Sequence, residues 1–368
     1  MSRDYSKFTL STGKADAKPG DVAKSGTPKP ALSVLQELGW QPFYAQQTDI
    51  DELAKTPPVR VTEVHRSGLR VLGDGIDEML PPRADATVGD WLLFNHVLPS
   101  ASRLLDRKSV IQRRAAGHDR QVQLIAANID TAFVVTSCNA DFNVARLERY
   151  VALAFEAEVT PVILLTKADL CDDPADYVEQ AQAISNALTV LVLDARGDEP
   201  KLKLAPWCKP GQTVAFLGSS GVGKSTLTNA LSGTESAATQ EIREDDAKGR
   251  HTTSHRQLHI LPGSCAVLDT PGMREIQLTD VGAGVAEVFS ELDDLAGACR
   301  FSDCRHETEP GCAVLAAVAT GAVDIERLAR WRKLLAEDRH NSASLAERLS
   351  KDKAFGKMIR QVKKNKVK

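Results

Sequence analysis

Apolar positions along this chain change their spacing twice. From Val59 to Arg114 they come in short runs, Val59–His65, Gly68–Leu72, Val88–Phe94 and Ser109–Arg114, punctuated by Gly73-Asp-Gly75 and Pro81-Pro82. Such runs between turn residues predict short strands, and about fifty-five residues of them predict a small β-barrel of the oligonucleotide-binding (OB) type over residues 58–115. From Thr131 the runs become continuously apolar: Thr131–Thr136, Val159–Thr166, Thr189–Leu193, Gln212–Leu217 and Ser264–Asp269. Between them, Asn143–Glu158 sets Leu147, Tyr150, Val151, Ala154 and Phe155 on one helical face, and Thr226–Leu231 reads as a helix. Fully apolar strands alternating with amphipathic helices predict an α/β domain with a parallel sheet over residues 120–284. Residues 285–340 read as helical, with Ala313–Ala319 on an amphipathic helix.

Composition adds limits. Of 368 residues, 42% are hydrophobic and 26% charged, ordinary values for a globular chain of roughly two or three domains. No apolar run approaches the roughly eighteen residues of a membrane span, and the N-terminus carries no signal-peptide hydrophobic segment. An odd number of cysteines, seven, argues for a reducing cytoplasm and against a disulfide framework. The net charge of −3 conceals asymmetry. Met1–Pro30 is rich in Lys, Gly, Ser and Pro, and residues 1–57 are expected to form a largely disordered extension. Residues 341–368 form a basic tail; Gly356–Lys368 holds six Lys or Arg and no acid. That tail suits nucleic-acid contact as well as it suits a solubilising end. Arg60, Arg70, Arg83, Arg103, Arg107, Arg113 and Arg114 likewise suit a phosphate backbone or a solvated surface.

The sharpest chemistry lies at Gly218-Ser-Ser-Gly-Val-Gly-Lys-Ser225, which fits the phosphate-cradling pattern G-x-x-x-x-G-K-[ST] between a strand and a helix. In that pattern the amides of Gly218, Ser219, Ser220, Gly221, Val222 and Gly223 wrap the phosphates. Lys224 neutralises the outer ones, the Ser225 hydroxyl ligates Mg²⁺, and Thr226 opens the helix. Asp269-Thr-Pro-Gly272 ends another apolar strand. There Asp269 would hold Mg²⁺, and the Gly272 amide can approach the γ-phosphate because no Cβ obstructs it.

A third strand ends in Thr166-Lys-Ala-Asp169, which resembles the Asn-Lys-x-Asp motif by which GTPases read guanine. Asp169 can accept from N1–H and the exocyclic amine, a donor pair adenine lacks, which disfavours an ATPase or kinase. Lys167 and Ala168 complete the base segment, with the Lys stem over the purine. Thr166 stands in place of Asn, and one hydroxyl cannot span both base and phosphate loop as an amide does. The Ser-Ala turn that supports the base in GTPases is poorly matched by Asp194-Ala195. In ordinary GTPases the base segment follows the other two; here Asp169 precedes Lys224 and Asp269. Joining the old termini and cutting elsewhere rebuilds the same sheet, so the domain is a circularly permuted GTPase.

Cys299, Cys304, His306 and Cys312 fall within fourteen residues. Three thiolates and one imidazole satisfy tetrahedral Zn²⁺ with no open position, as in structural sites. Cys138, Cys171, Cys208 and Cys265 stand singly and read as packing residues.

With the permuted order, the barrel before it and the zinc cluster after it, the chain is similar to the RsgA (YjeQ) family, from about Val59 to Glu337. The resemblance is carried by Gly218–Thr226, Lys248-Gly-Arg-His-Thr-Thr253, Asp269–Gly272 and the zinc stretch. It implies an α/β, circularly permuted phosphate-loop GTPase domain, preceded by an OB-type barrel and followed by an α-helical zinc-binding domain. It further implies a GTPase that binds the small ribosomal subunit and its rRNA late in assembly and is stimulated by it. Such a protein would be a monomer with no DNA partner. Thr252 or Thr253, with Thr253 preferred, would join Ser225 on Mg²⁺. Met273 cannot orient a water, and the resemblance points to His251 for that role. An RNA-binding checkpoint protein with GTP as a slow state marker, and a permuted GTPase of the large subunit, are the alternative readings.

Overall fold

The computed structural model describes residues 32–114, 122–233, 256–269 and 281–342. Ahead of the barrel, where composition predicts a largely disordered extension, three short helices stand over residues 33–57: α1 (Val34–Glu37), α2 (Pro42–Ala45) and α3 (Ile50–Lys55). Ser33 and Gln36 form a capping box on α1, and the Asp49 carboxylate accepts from the Glu52 amide at the start of α3. Burial orders this stretch. Leu38 and Tyr44 pack with Trp91, Leu93 and Leu105, and Trp40 meets Trp91 edge-on at 4.9 Å. One-turn helices carry too little periodicity to be read from sequence, which is why the prediction fails here.

Where the sequence predicts a barrel, the strands extend the main sheet with no barrel closure among the described residues, and strand β1 (Pro58–His65) is their hub. It pairs antiparallel with β2 (Gly68–Gly73) and β4 (Trp91–Leu93); β3 (Ile76–Leu80) adds to β2, and β5 (Arg103–Leu104) to β4. The run at 109–114 becomes β6 (Val110–Arg114), but it pairs with β7 (Val122–Ala127) in a separate ladder rather than with β1–β5. Alternation identifies a strand without naming its neighbour.

The α/β region supplies β8 (Thr131–Ser137), β9 (Thr160–Thr166), β10 (Thr189–Val192), β11 (Thr213–Leu217), β12 (Arg256–Ile260) and β13 (Ala266–Asp269). The sheet runs β10-β9-β8-β11-β13-β12-β1-β2-β3, parallel from β10 to β13 and antiparallel at β12. β12 escapes sequence reading because Arg-Gln-Leu-His-Ile has no apolar run. Pairs Glu63↔Gln257 and Val64↔Arg256 join it to β1, so strands β1–β5 and the α/β strands share one sheet. Alternate residues of β8 face two cores. Val134 joins Leu147, Val151, Ile163 and Val285 on one side; Phe133 and Val135 join Leu164, Phe216 and Leu227 on the other. Burial on both faces explains the unbroken apolar runs.

Helix α4 (Val144–Glu156) lies on the first face, followed by α5 (Ala175–Gln182); α6 (Glu199–Leu204) and α7 (Lys224–Ser232) follow in the chain. Past the sheet come α8 (Gly282–Val288), α9 (Ser290–Gly297), α10 (Ala313–Ala319) and α11 (Ile325–Ser342). Among the described residues no helix is long and apolar enough to cross a membrane. α4 is buried beyond its predicted stripe, because α8 and α11 cover its far side. A Cβ at Gly284 would sit 2.0 Å from the Ala152 carbonyl oxygen, so only glycine permits this approach of α8 to α4.

Glu148 of α4 is fully buried beneath α11. Both its carboxylate oxygens accept from Arg330 Nε at 3.0 Å, and Oε1 also accepts from Arg327 at 3.3 Å. Burial raises the Glu148 carboxyl above its ordinary value, and the two arginines oppose that rise. Arg327 further donates to the Ile184 and Val288 carbonyls and stacks over Phe289 at 4.6 Å.

Removing one side of a buried ion pair leaves uncompensated charge. Glu148→Ala should therefore destabilise the chain by about 3 kcal/mol, the low end for such a loss because both arginines retain some water contact. Urea unfolding checks this; a midpoint equal to that of the unsubstituted chain would show that the cluster contributes no net stability.

Candidate nucleotide and metal sites

Strands β9, β8, β11 and β13 are parallel neighbours, so their carboxyl ends share one edge of the sheet, with Ser137 opposite Thr166 and Ala215 opposite Leu268. The three segments singled out from sequence leave that edge. Thr166–Asp169 continues β9, the glycine-rich loop continues β11, and Asp269 ends β13. The reversed chain order has no effect on this convergence, because neighbours in a parallel sheet need not be neighbours in sequence. His251, Thr253 and Gly272, with Thr252 and Met273, lie outside the described residues, so the structure does not place the water-orienting or switch positions.

The loop's glycines follow from its geometry. Gly218 has φ +141°, and a Cβ there would lie 2.2 Å from the Val135 carbonyl oxygen of the neighbouring strand. Gly223 precedes α7 at φ +99°, where its Cα faces the Ala195 methyl and Thr166. The Lys224 ammonium folds back over the loop, donating to Gly218 O at 2.9 Å and to Ser219 O. α7 thus opens directly from the loop with a cation folded over it, the chemistry of an anion cradle. A residue that sequence reading missed also reaches the loop: Arg146, from the first turn of α4, donates to the Ser219 hydroxyl at 2.5 Å. Its only sequence signal is its place just after Asn143, whose side chain caps α4.

Thr166 is fully buried. Its hydroxyl lies 2.8 Å from Val222 O in the phosphate loop and 3.1 Å from Thr136 O in β8. It therefore carries the loop-tying half of the work that an amide would do. Lys167 turns the chain through φ +57° into a 3₁₀ turn over Ala168–Leu170, which presents Asp169 about half exposed. Arg196 Nη2 donates to Asp169 Oδ2 at 2.8 Å, and the same guanidinium contacts both oxygens of Asp194.

Downstream, the donor atoms of Cys299, Cys304, His306 and Cys312 all lie within 4.8 Å of one another. Cys299 Sγ is 3.8 Å from Cys312 Sγ and 3.6 Å from His306 Nδ1, and His306 Nδ1 is 3.4 Å from Cys312 Sγ. Metal–sulfur bonds of about 2.3 Å give tetrahedral S···S edges of about 3.8 Å, so these donors fit a small four-coordinate ion. Burial holds the His306 imidazole below its ordinary pKa, which favours the neutral form that ligates metal. Its ring lies 5.2 Å from that of Trp331 on α11. The other four cysteines are free, with Cys138 and Cys265 buried in the two cores.

Among the described side chains, the arginines singled out for the N-terminal strands are engaged locally rather than arrayed as free cations, Arg113 donating to Gln123. Arg60 is buried; Arg70 pairs with Glu63 and Asp77, Arg83 with Asp85, Arg103 with Glu52, and Arg107 with Asp90. Cross-strand and cross-loop acids of this kind are invisible to a count along the chain.

A model of the RsgA GTPase family matches residues 104–279. The small ribosomal subunit biogenesis GTPase RsgA 2 of Vibrio parahaemolyticus is 48% identical over 91% of this chain and 94% of its own length. The chain belongs to the RsgA GTPase family. A second member, the small ribosomal subunit biogenesis GTPase RsgA of Mesorhizobium japonicum, is 51% identical over 84% of this chain and 91% of its own. The crystal structure of YjeQ from Thermotoga maritima superposes with a TM-score of 0.55 at 23% identity, covering 76% of this chain and 97% of that one. YloQ, described as a circularly permuted GTPase, gives 0.52 at 23%, covering 78% and 97%. The fold is that of a circularly permuted GTPase, and this RsgA-family member is a GTP-hydrolysing enzyme.

Thr166→Val keeps the shape and removes the hydroxyl, leaving the Val222 carbonyl without that donor. A loss of about 1–3 kcal/mol in stability is expected, with weaker nucleotide binding. Thermal unfolding and a GDP titration test both, and no change in either would remove the bond from the site.

Proposed function

We propose that this chain binds the small ribosomal subunit and acts in its late maturation, hydrolysing GTP to GDP and phosphate with stimulation by the subunit. The observation that carries this reading is the convergence of base segment, glycine-rich loop and β13 on one sheet edge, in a chain whose relatives bear the name of small-subunit biogenesis GTPases. Thr166, Lys167, Ala168 and Asp169 hold guanine; Gly218 to Thr226 cradle the phosphates; Asp269 and Gly272 face the γ-phosphate. Ser225 and Thr253 would hold Mg²⁺, which would supply charge neutralisation at the phosphates. Contacts to the γ-phosphate would tilt the C-terminal helices relative to the N-terminal strands, so that both grip rRNA in the GTP state and release it after hydrolysis. The protein works as a cytoplasmic monomer.

The ion at Cys299, Cys304, His306 and Cys312 is a single structural zinc, since three thiolates and an imidazole select it and leave no position for water. Elemental analysis of protein purified without chelator should find one zinc per chain, lost in Cys304→Ala while GDP binding persists. Metal-free protein of native fold would defeat this assignment.

His251 orients the attacking water, because Met273 offers no polar group where GTPases often place a Gln. His251→Ala should retain GTP and subunit binding and lose roughly 10²- to 10⁴-fold of the subunit-stimulated rate, the range for positioned proton-transfer groups. Turnover with and without purified small subunits, alongside co-sedimentation with a non-hydrolysable GTP analogue, measures both. Full stimulation in the variant would move the water to another residue, and failure to co-sediment in the unsubstituted chain would overturn the subunit assignment.

A further inference from the structure

We propose that Arg196 positions the Asp169 carboxylate for guanine, in the place of the serine that the Ser-Ala turn of other GTPases offers. The inference rests on the reading of Thr166–Asp169 as the base segment. Its starting point is a mismatch in the sequence: Asp194 stands where a small hydroxyl residue would support the base, and an anion there is the wrong chemistry beside Asp169. Two carboxylates facing one pocket repel each other and draw the base-reading one out of line.

The structure resolves the mismatch with one cation. Arg196 Nε lies 2.9 Å from Asp194 Oδ1, and Nη2 lies 2.9 Å from Asp194 Oδ2 and 2.8 Å from Asp169 Oδ2. The Arg196 amide also donates to Asp194 Oδ1 at 2.9 Å, and the Asp194 amide donates to Glu199 at 2.8 Å, so the anchor is itself held. Ala195, between the two, is buried against the Cα of Gly223 in the phosphate loop. The turn Asp194–Arg196 therefore sits on the same wall as Thr166. A carboxylate has more than one lone pair on each oxygen, so Asp169 can accept from Arg196 and from both guanine donors at once. The planar fork fixes the orientation of the Asp169 carboxylate in a way a flexible ammonium would not.

The test is a double-mutant cycle on the full chain with fluorescent GDP, competed by GDP and ADP at fixed Mg²⁺ and ionic strength. Arg196→Ala should raise the Kd for GDP about two- to fivefold, the size of an exposed ion pair, and leave ADP unchanged. Its thermal midpoint should stay at that of the unsubstituted chain, because the side chain is 67% exposed. Arg196→Lys should recover part of the loss, and adding Asp194→Ser to Arg196→Ala should recover more by removing the unpaired anion. In an Asp169→Asn background, Arg196→Ala should change nothing further. Unchanged or tighter GDP binding in Arg196→Ala, or an equal loss in the Asp169→Asn background, would overturn the positioning role. Asp169→Asn is also measured alone; if it leaves GDP affinity unaltered, the base-segment reading itself fails, which is a different result.

Discussion

A single buried guanidinium ties the molecule together. Arg60 of β1 is 2% exposed, and its acceptors come from four separate segments: Leu38 O after α1, Gly89 O just before β4, Asn128 O at the entry to β8, and the Thr213 hydroxyl at the start of β11. It also lies over the Trp91 ring. Burial lowers the pKa of this group, while Tyr44, Asp130 and Asp90 act to keep it charged. A buried cation without a full set of partners costs several kcal/mol, so each of these segments must be in place for any of them to be stable. The N-terminal helices, strands β1–β5 and the strand that leads into the phosphate loop are in this sense one structure.

A comparable clasp works around α4. α4 begins at Asn143 and carries Arg146, which contacts the phosphate loop; two residues later Glu148 is held by Arg327 and Arg330 of α11. The next residue of α11 is Trp331, against which the His306 ring lies. A continuous chain of packed and ion-paired groups therefore runs from the phosphate loop through α4 and α11 to the cysteine–histidine cluster. Such continuity is what a rigid connection between nucleotide and metal sites requires.

The nucleotide site shows how a departure from a motif is absorbed. Thr166 cannot do everything an Asn does, so its hydroxyl serves the loop. Asp194 has the wrong charge, so Arg196 stands between it and Asp169. Both changes keep the same demand satisfied: the base-reading carboxylate and the phosphate loop must be fixed relative to one another, although they come from strands separated by β8.

What the sequence determined by itself was whatever depends on short-range spacing. The phosphate loop, the Lys-x-Asp segment, the four metal-type ligands and the strands buried on both faces are each written within a few residues, because backbone geometry and side-chain period act over that distance. The permuted order was legible for the same reason. The tertiary structure alone decided the partnerships. β12 is polar enough to pass as loop, yet it joins two regions because β1 and β13 offer it edges. Residues 33–57 order because Trp91 and its neighbours give Leu38 and Tyr44 somewhere to be buried. Arg70, Arg83 and Arg107 look like part of a basic surface until the acids across the strands and loops are seen beside them. Those outcomes turn on contacts between residues far apart in the chain, where sequence pattern carries no register and burial energy makes the choice.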